Sequence, residues 1–272
     1  MKKRHFLQLS ALGASALCLP RLGLAQTPAG GAASAITLAA GWRGGMETTG
    51  DFVGLLEVDW QQAKVTIKAA VPVPTRAHGL LAEAGGGFLA VAVRPGRWLL
   101  RCDADGRVVQ GHRLETETGG RSLDGHACAS ADGAWIYTAE TDANSGQGWV
   151  SVRERSSLRK VAQWRTHGAE PHQLLLDADG QLMVANGGLL RGDGDKKRDV
   201  HRMDSSLVRL DTRTGERLGQ WRLKDARLGV RHMAWSDVAQ AGAGARRLLG
   251  IALQNEHDDL TQRRNAPAFA VW

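Results

Sequence analysis

Beyond residue 35 the chain is a succession of short apolar runs, each about four to eight residues long and bounded by Gly, Asp or Asn, with no segment that sustains a helical period. Two kinds of unit alternate. One places a histidine ahead of two apolar runs joined by a tight turn: "RAHGLLAEAGGGFLAVAVRPG" from Arg76, "LDGHACASADGAWIYTAETD" from Leu123, "GAEPHQLLLDADGQLMVANGG" from Gly168 and "VRHMAWSDVAQAGAGARRLLGIALQNE" from Val230. The other is a strand, a polar turn and a second strand, as in "VGLLEVDWQQAKVTIKAAV" from Val53, "WVSVRERSSLRKVAQWRT" from Trp149 and "LVRLDTRTGERLGQWRL" from Leu207. Joined in order, the pair makes a four-stranded unit. The histidines mark its period: His78 to His126 is 48 residues, His126 to His172 is 46 and His172 to His232 is 60, the last interval holding the extra loop "LLRGDGDKKRDVHRMDSS".

A four-stranded unit recurring every 40 to 50 residues or so predicts an all-β fold, a β-propeller of four-stranded blades. One such sheet cannot bury both faces, so blades pack against one another and share a core. The Trp-Asp blade ending of the WD type is absent, and a β-sandwich would leave the period unexplained. "ITLAAGWRGG" from Ile36 reads as a second blade strand followed by a third and a fourth, and "APAFAVW" as the third strand of a last blade. The count is three strands, three full blades and three more strands, so about four to five blades are expected, in a propeller truncated at its C-terminus. The domain is expected over 36–272, with a flexible lead over 26–35.

The first 25 residues read as an export signal. Lys2, Lys3 and Arg4 form a basic start, Leu7 to Leu19 an apolar run too short to span a bilayer, and "GLA" precedes a cleavage point after Ala25. "KKRHFLQL" is twin-arginine-like, with Arg21 near the cleavage site favouring that route; an ordinary secretory signal is the alternative. A periplasmic location follows as the expectation, with no integral membrane segment in the mature chain. Losing the signal removes four basic residues and no acidic one, so the net charge falls from +7 to +3. With scattered basic residues, that balance gives no argument for a nucleic-acid partner. Cys102 and Cys128 remain and fall on different predicted strands, which predicts free thiols rather than a bridge.

Propeller geometry makes the histidine repeat a spatial statement. A residue just before the first strand of a blade and one ending its second strand lie at the same face of the disc. His78, His126, His172 and His232 are therefore expected at one mouth of a central channel. Glu140, Asp142, Asn186, Gln254 and Glu256, near the ends of second strands, are expected around them. Neutral imidazoles with carboxylates suit Fe, Cu or Zn, with Glu140 or Asp142 a direct ligand or orienting a ring. The same set suits an organic ligand with histidine as acid–base, or a purely structural task in which each histidine locks blade to blade. "DGDKKRD" from Asp193 lacks the oxygen ligand and glycine of a calcium loop and reads as a solvated insertion. Ser122, Asp124 and His126 lack a nucleophile turn. Trp98, Trp149, Trp164 and Trp221 are expected to pack between blades.

The chain resembles the bacterial domain-of-unknown-function family 1513, exported proteins of seven-bladed, YVTN- or quinoprotein-like propeller type. The resemblance runs from about Ile36 to Trp272. It is carried by "RAHG", "GHACASADGAWIYTAETD" with "GQGWVSV", "EPHQLLLDADGQLMVANGG", "MDSSLVRLD" and "VRHMAW", and it departs in the loop from Leu190 to Arg202, where a His-Pro-containing stretch is usual. It implies neighbours among iron-regulated periplasmic proteins of the imelysin type. Three functions stay open. The chain is a non-enzymatic propeller binding a metal or a periplasmic iron-uptake partner, a quinoprotein- or lactonase-like enzyme using the histidine mouth, or a scaffold with structural histidines only.

Overall fold

The computed structural model describes residues 35–45, 49–117, 120–236 and 247–272. The expected export signal and almost all of the lead lie outside the described residues. Antiparallel sheets follow one another along the chain. The first contains β1 (Ala35–Arg43), β2 (Asp51–Asp59) and β3 (Lys64–Val73). β4 (Ala77–Ala82), β5 (Phe88–Ala92), β6 (Trp98–Cys102) and β7 (Val108–Arg113) form the second. β8 (Arg121–Ala129), β9 (Trp135–Asp142), β10 (Gln147–Glu154) and β11 (Lys160–Ala169) form the third.

The fourth sheet begins with β12 (Pro171–Leu176) and β13 (Leu182–Asn186). A short hairpin, β14 (Leu190–Arg191) with β15 (Lys197–Arg198), then interrupts it before β16 (Ser206–Leu210) and β17 (Arg217–Trp221) complete the order. β18 (Leu228–Trp235), β19 (Leu249–Asn255) and β20 (Phe269–Val271) make the fifth. The succession of three strands, three four-stranded sheets and three strands follows the repeat.

The arrangement is β-propeller-like. First strands of successive sheets lie side by side, β4 against β8, β8 against β12 and β12 against β18. β5 and β13 are buried along their whole length, whereas the fourth strands β7 and β17 are largely exposed or half-buried. Apolar cores lie between sheets. Side chains alternate across a strand, so β13 serves two cores at once. Leu182 and Val184 pack with Tyr137, Val150 and Val152 of the third sheet, while Met183 and Ala185 pack with Val230, Leu249 and Ile251 of the fifth. Each fully buried aliphatic side chain contributes about 1.5–3 kcal/mol. No sheet could keep that contribution alone.

Trp164 acts between sheets as expected, whereas the Trp149 ring lies under Arg121 and Arg165 of its own sheet. The Trp164 ring of β11 covers Gly215, in the turn before β17, where an added Cβ would lie 2.1 Å from the ring. Cys102 and Cys128 are free thiols. Two features depart from the sequence reading. Leu260–Asn265 forms one short helix, α1, capped by Asp259, whose carboxylate accepts from Gln262 N at 2.8 Å; six residues are too few to show a period. The insertion from Leu190 is also more than a solvated loop. Arg191 and Asp195 reach Glu170 and Arg94, and Lys197 Nζ donates to both oxygens of Glu256 at 2.6 and 2.7 Å. It thereby ties the second, fourth and fifth sheets together.

Candidate metal centre

Each of the four repeated histidines sits inside a first strand rather than just ahead of it, and each lies where the register slips. The irregularities fall between Ala77 and Gly79, Leu123 and Ala127, Pro171 and Leu174, and Val230 and Met233. A β-bulge bends the strand and re-aims a side chain that regular alternation would send elsewhere. Repeated in β4, β8, β12 and β18, the device turns His78, His126, His172 and His232 toward one another. One ring nitrogen from each lies within 4.8 Å of all the others.

Two glycines permit the closest approach. A Cβ at Gly79 would lie 2.4 Å from Gly125 O, and one at Gly125 would lie 2.7 Å from the His78 ring. Gly125 also holds a φ of +98°, which side-chain-bearing residues rarely adopt. With both positions bare, β4 and β8 close until His78 Nε2 and His126 Nε2 are 3.0 Å apart. At that distance one nitrogen donates and the other accepts. No other ring nitrogen of the quartet has a hydrogen-bond partner among the described residues, and the Nδ1 atoms of His78 and His172 are fully buried.

Burial is the main reason these imidazoles resist protonation. It takes His78 down to about 4, helped by Arg76, His232, Arg94 and Arg231, and His126 down to about 3, helped by His78, His232 and Arg94. His172 and His232 are lowered as well, by burial first and then by neighbouring charges that include Arg231. The quartet is therefore neutral at ordinary pH, the state in which imidazole ligates metal. Metal–nitrogen bonds of about 2.0–2.1 Å place opposed ligand atoms about 4.1 Å apart, so sub-ångström side-chain shifts would bring all four nitrogens to one ion. The donor set fits a first-row divalent cation.

The acidic and amide residues expected around the quartet have other places. Glu140 Oε1 accepts from Arg153 Nη2 at 2.7 Å and from Thr138 Oγ1 at 2.8 Å. Arg153, wholly buried, also engages Glu117 and Leu158 O, so Glu140 belongs to a lock between the second and third sheets. Burial alone would raise the Glu117 carboxyl, but bonds from Arg153, Lys160 and His112 hold it down at about 2. Asn186 Nδ2 donates to Thr166 O and Ser206 Oγ, joining the third and fourth sheets. Asp142 closes the turn after β9, accepting from Asn144 N, Ser145 N and Ser145 Oγ. Glu140, Asp142 and Asn186 are thus corrected from ring ligands to structural groups. In each case the carboxylate or amide finds its partners in a neighbouring strand or turn. Gln254 Nε2 donates to Glu256, which also accepts from Lys197 Nζ.

The sequence reading passed over Glu170, Arg94, Arg191 and Arg231, which flank the quartet. Glu170 precedes Pro171-His172 with a φ of +55° and is 2% exposed. Its Oε1 lies 3.1 Å from Arg94 Nη1, 2.5 Å from Arg191 Nη2 and 2.8 Å from Arg231 Nη1. Asp124, two residues before His126, accepts from Thr141 Oγ1 at 2.6 Å rather than from the histidine, so no hydrolytic triad forms. Burial pushes its carboxyl up to about 8. The one available signal was that Asp124 and Glu170 stand at the same offset from their histidines.

Two solved structures show distant likeness. A protein of unknown function from Bacteroides caccae is 11% identical, with a TM-score of 0.40, covering 86% of this chain and 88% of that one. A quinohemoprotein alcohol dehydrogenase from Pseudomonas putida is 13% identical, with a TM-score of 0.49, covering 75% of this chain but only 37% of that one. No curated protein matches the sequence. A family model described as "Protein of unknown function (DUF1513)" matches residues 71–271, a span that contains all four histidines and the strands that carry them; the chain belongs to that family.

Proposed function

We propose that this chain is an exported, periplasmic propeller whose histidine quartet binds a first-row transition metal, and that it serves metal acquisition beside periplasmic iron-uptake partners. The observation that carries the reading is the convergence of four neutral imidazoles, one from each of four successive sheets, on one point. A structural task would give ring nitrogens backbone or side-chain partners, as Arg153 and Asn186 have. His172 and His232 make no such bonds among the described residues. Imidazole donors suit iron, copper and zinc alike. The signal-like first 25 residues support a periplasmic location.

The sheets are read as propeller blades, with the quartet at one mouth of their common axis. The test is elemental analysis of protein recovered from the periplasm after native export, beside His126→Ala and His172→Ala variants verified as folded. Near-stoichiometric iron, copper or zinc in the parent, lost in both variants, is the expected result. A folded parent that holds no metal, and takes up none when titrated with zinc, copper or ferrous iron, would defeat the reading.

A further inference from the structure

Beside the quartet lies a cavity of about 380 Å³ whose wall includes Arg94, Arg191, Asp124, Glu170 and the apolar side chains of Pro95 and Leu189. Its charges do not balance. Glu170 faces three guanidiniums, all on Oε1, while Oε2 has no hydrogen-bond partner among the described residues. Asp195 contributes one more carboxylate, with Oδ2 at 3.3 Å from Arg94 Nε and 3.4 Å from Arg191 Nη1. Arg97 and Arg198 on the wall add two cations, and Asp124 and Asp142 two carboxyl groups, so with Arg231 five arginines stand against four carboxyl groups and one positive charge is in excess.

Arg231 is the least satisfied of the three. Its side chain is 6% exposed, and beyond its ion pair with Glu170 none of its three guanidinium nitrogens makes a hydrogen bond among the described residues. Burying charge without full hydrogen bonding costs several kcal/mol or so. Local packing keeps the groups together nonetheless. A Cβ at Gly187 would lie 2.5 Å from Glu170 Oε2 and 2.8 Å from Arg231 Nη1, so the ion cluster rests on bare backbone. On the wall, every nitrogen of Arg191 already meets Glu170 or Asp195, while Arg94 Nη2 has no partner among the described residues. Cationic excess, that free donor and an adjoining cavity with apolar walls make one chemical specification. It is an anion with a carbon skeleton, carrying a group that guanidinium forks can grip bidentately.

We infer that this cavity binds a small organic carboxylate, held by Arg94 at the wall with Arg191 and Arg231, both paired to Glu170, supplying charge. The inference does not depend on the metal reading, since the arginine cluster stands whether or not the quartet is loaded.

The test is isothermal titration calorimetry of the mature protein, stripped of metal by chelating resin, with oxalate, citrate and inorganic phosphate at constant ionic strength. Saturable one-to-one binding of oxalate or citrate is expected. It should weaken about tenfold or more in Arg191→Gln and stay unchanged in Arg159→Gln, an exposed arginine paired only with Glu154. If circular dichroism shows Arg191→Gln to be unfolded, Arg94→Lys takes its place, because lysine keeps the charge and loses the fork. His126→Ala should keep carboxylate binding even as it loses metal, which separates the two proposals. No saturable heat up to about 10 mM, binding of phosphate alone, or equal affinity in the arginine variant would overturn the inference.

Discussion

At the junction of the second and third sheets every nitrogen of Arg153 is engaged: Nε by Thr138, Nη1 by Glu117 and Leu158 O, Nη2 by Glu117 and Glu140. A short distance along the same sheets, four imidazoles meet with a single hydrogen bond among them. Both clusters are buried and polar, and both draw on several strands. The difference is completeness. A network that engages every donor of its arginine fixes one arrangement of the sheets, and here it leaves over a single acceptor, Glu140 Oε2. An unsatisfied set of neutral nitrogens aimed at one point keeps its lone pairs for a ligand. Which buried polar residues are functional is therefore decided by what their partners leave over.

The largest effect should come from breaking the lock. Arg153→Met strands Glu140 as a buried carboxylate, leaves Glu117 to Lys160 and His112, and should cost about 3–5 kcal/mol in urea unfolding. A loss below about 1 kcal/mol would put Arg153 on the same footing as a surface pair and erase the contrast. Metal comes next. With free zinc at about 1,000 times its Kd, the wild-type protein should gain about 4 kcal/mol, measured as a rise in Tm, and His172→Ala should gain none. An equal rise in both would move the metal away from the quartet.

The pH dependence separates the clusters in one experiment. The histidines have folded-state pKa values below the unfolded value of about 6.5, so the unfolded chain binds more protons and stability falls as pH drops below that point. The slope is at most about 1.4 kcal/mol per pH unit for each histidine that takes up a proton on unfolding. Glu117 behaves differently: its contribution is complete above about 4.5 and is lost only as pH falls toward about 2. Between pH 6.5 and 4.5 or so, metal-free protein should report the quartet set against the opposite slope of Asp124, whose raised carboxyl holds its proton in the fold, and His126→Gln should lower the net slope. An unchanged slope would mean that the imidazoles already share protons in the fold. The smallest effect sets the baseline. Arg222 and Asp204 pair in the open, and Arg222→Ala should change stability by no more than about 0.5 kcal/mol.

The histidine convergence was legible because a repeat period is a positional code. Residues at the same offset in successive four-stranded units occupy equivalent places, so 48- and 46-residue spacings place His78, His126 and His172 together. The 60-residue interval still delivers His232, because the insertion forms its own hairpin, β14–β15, and leaves the sheet order intact. Position in a unit does not determine what a side chain bonds. Glu140 and Asn186 end second strands as expected, yet their groups turn to Arg153, Thr166 and Ser206, which lie 13 to 20 residues away. The bulges that aim the histidines, one extra residue in β4, β12 and β18 and two in β8, depend on how each strand pairs with its neighbour and not on its own residues.

From its sequence alone this protein's all-β character, its strand order, its free thiols and the meeting of four histidines follow, because each depends on local periodicity repeated along the chain. The tertiary structure alone decided that Glu140 and Asn186 are locks, that the insertion spans three sheets, and that Arg94, Arg191 and Arg231 gather on Glu170. Those arginines come from three separate segments with no shared spacing, and nothing short of packing the sheets could bring their charges together.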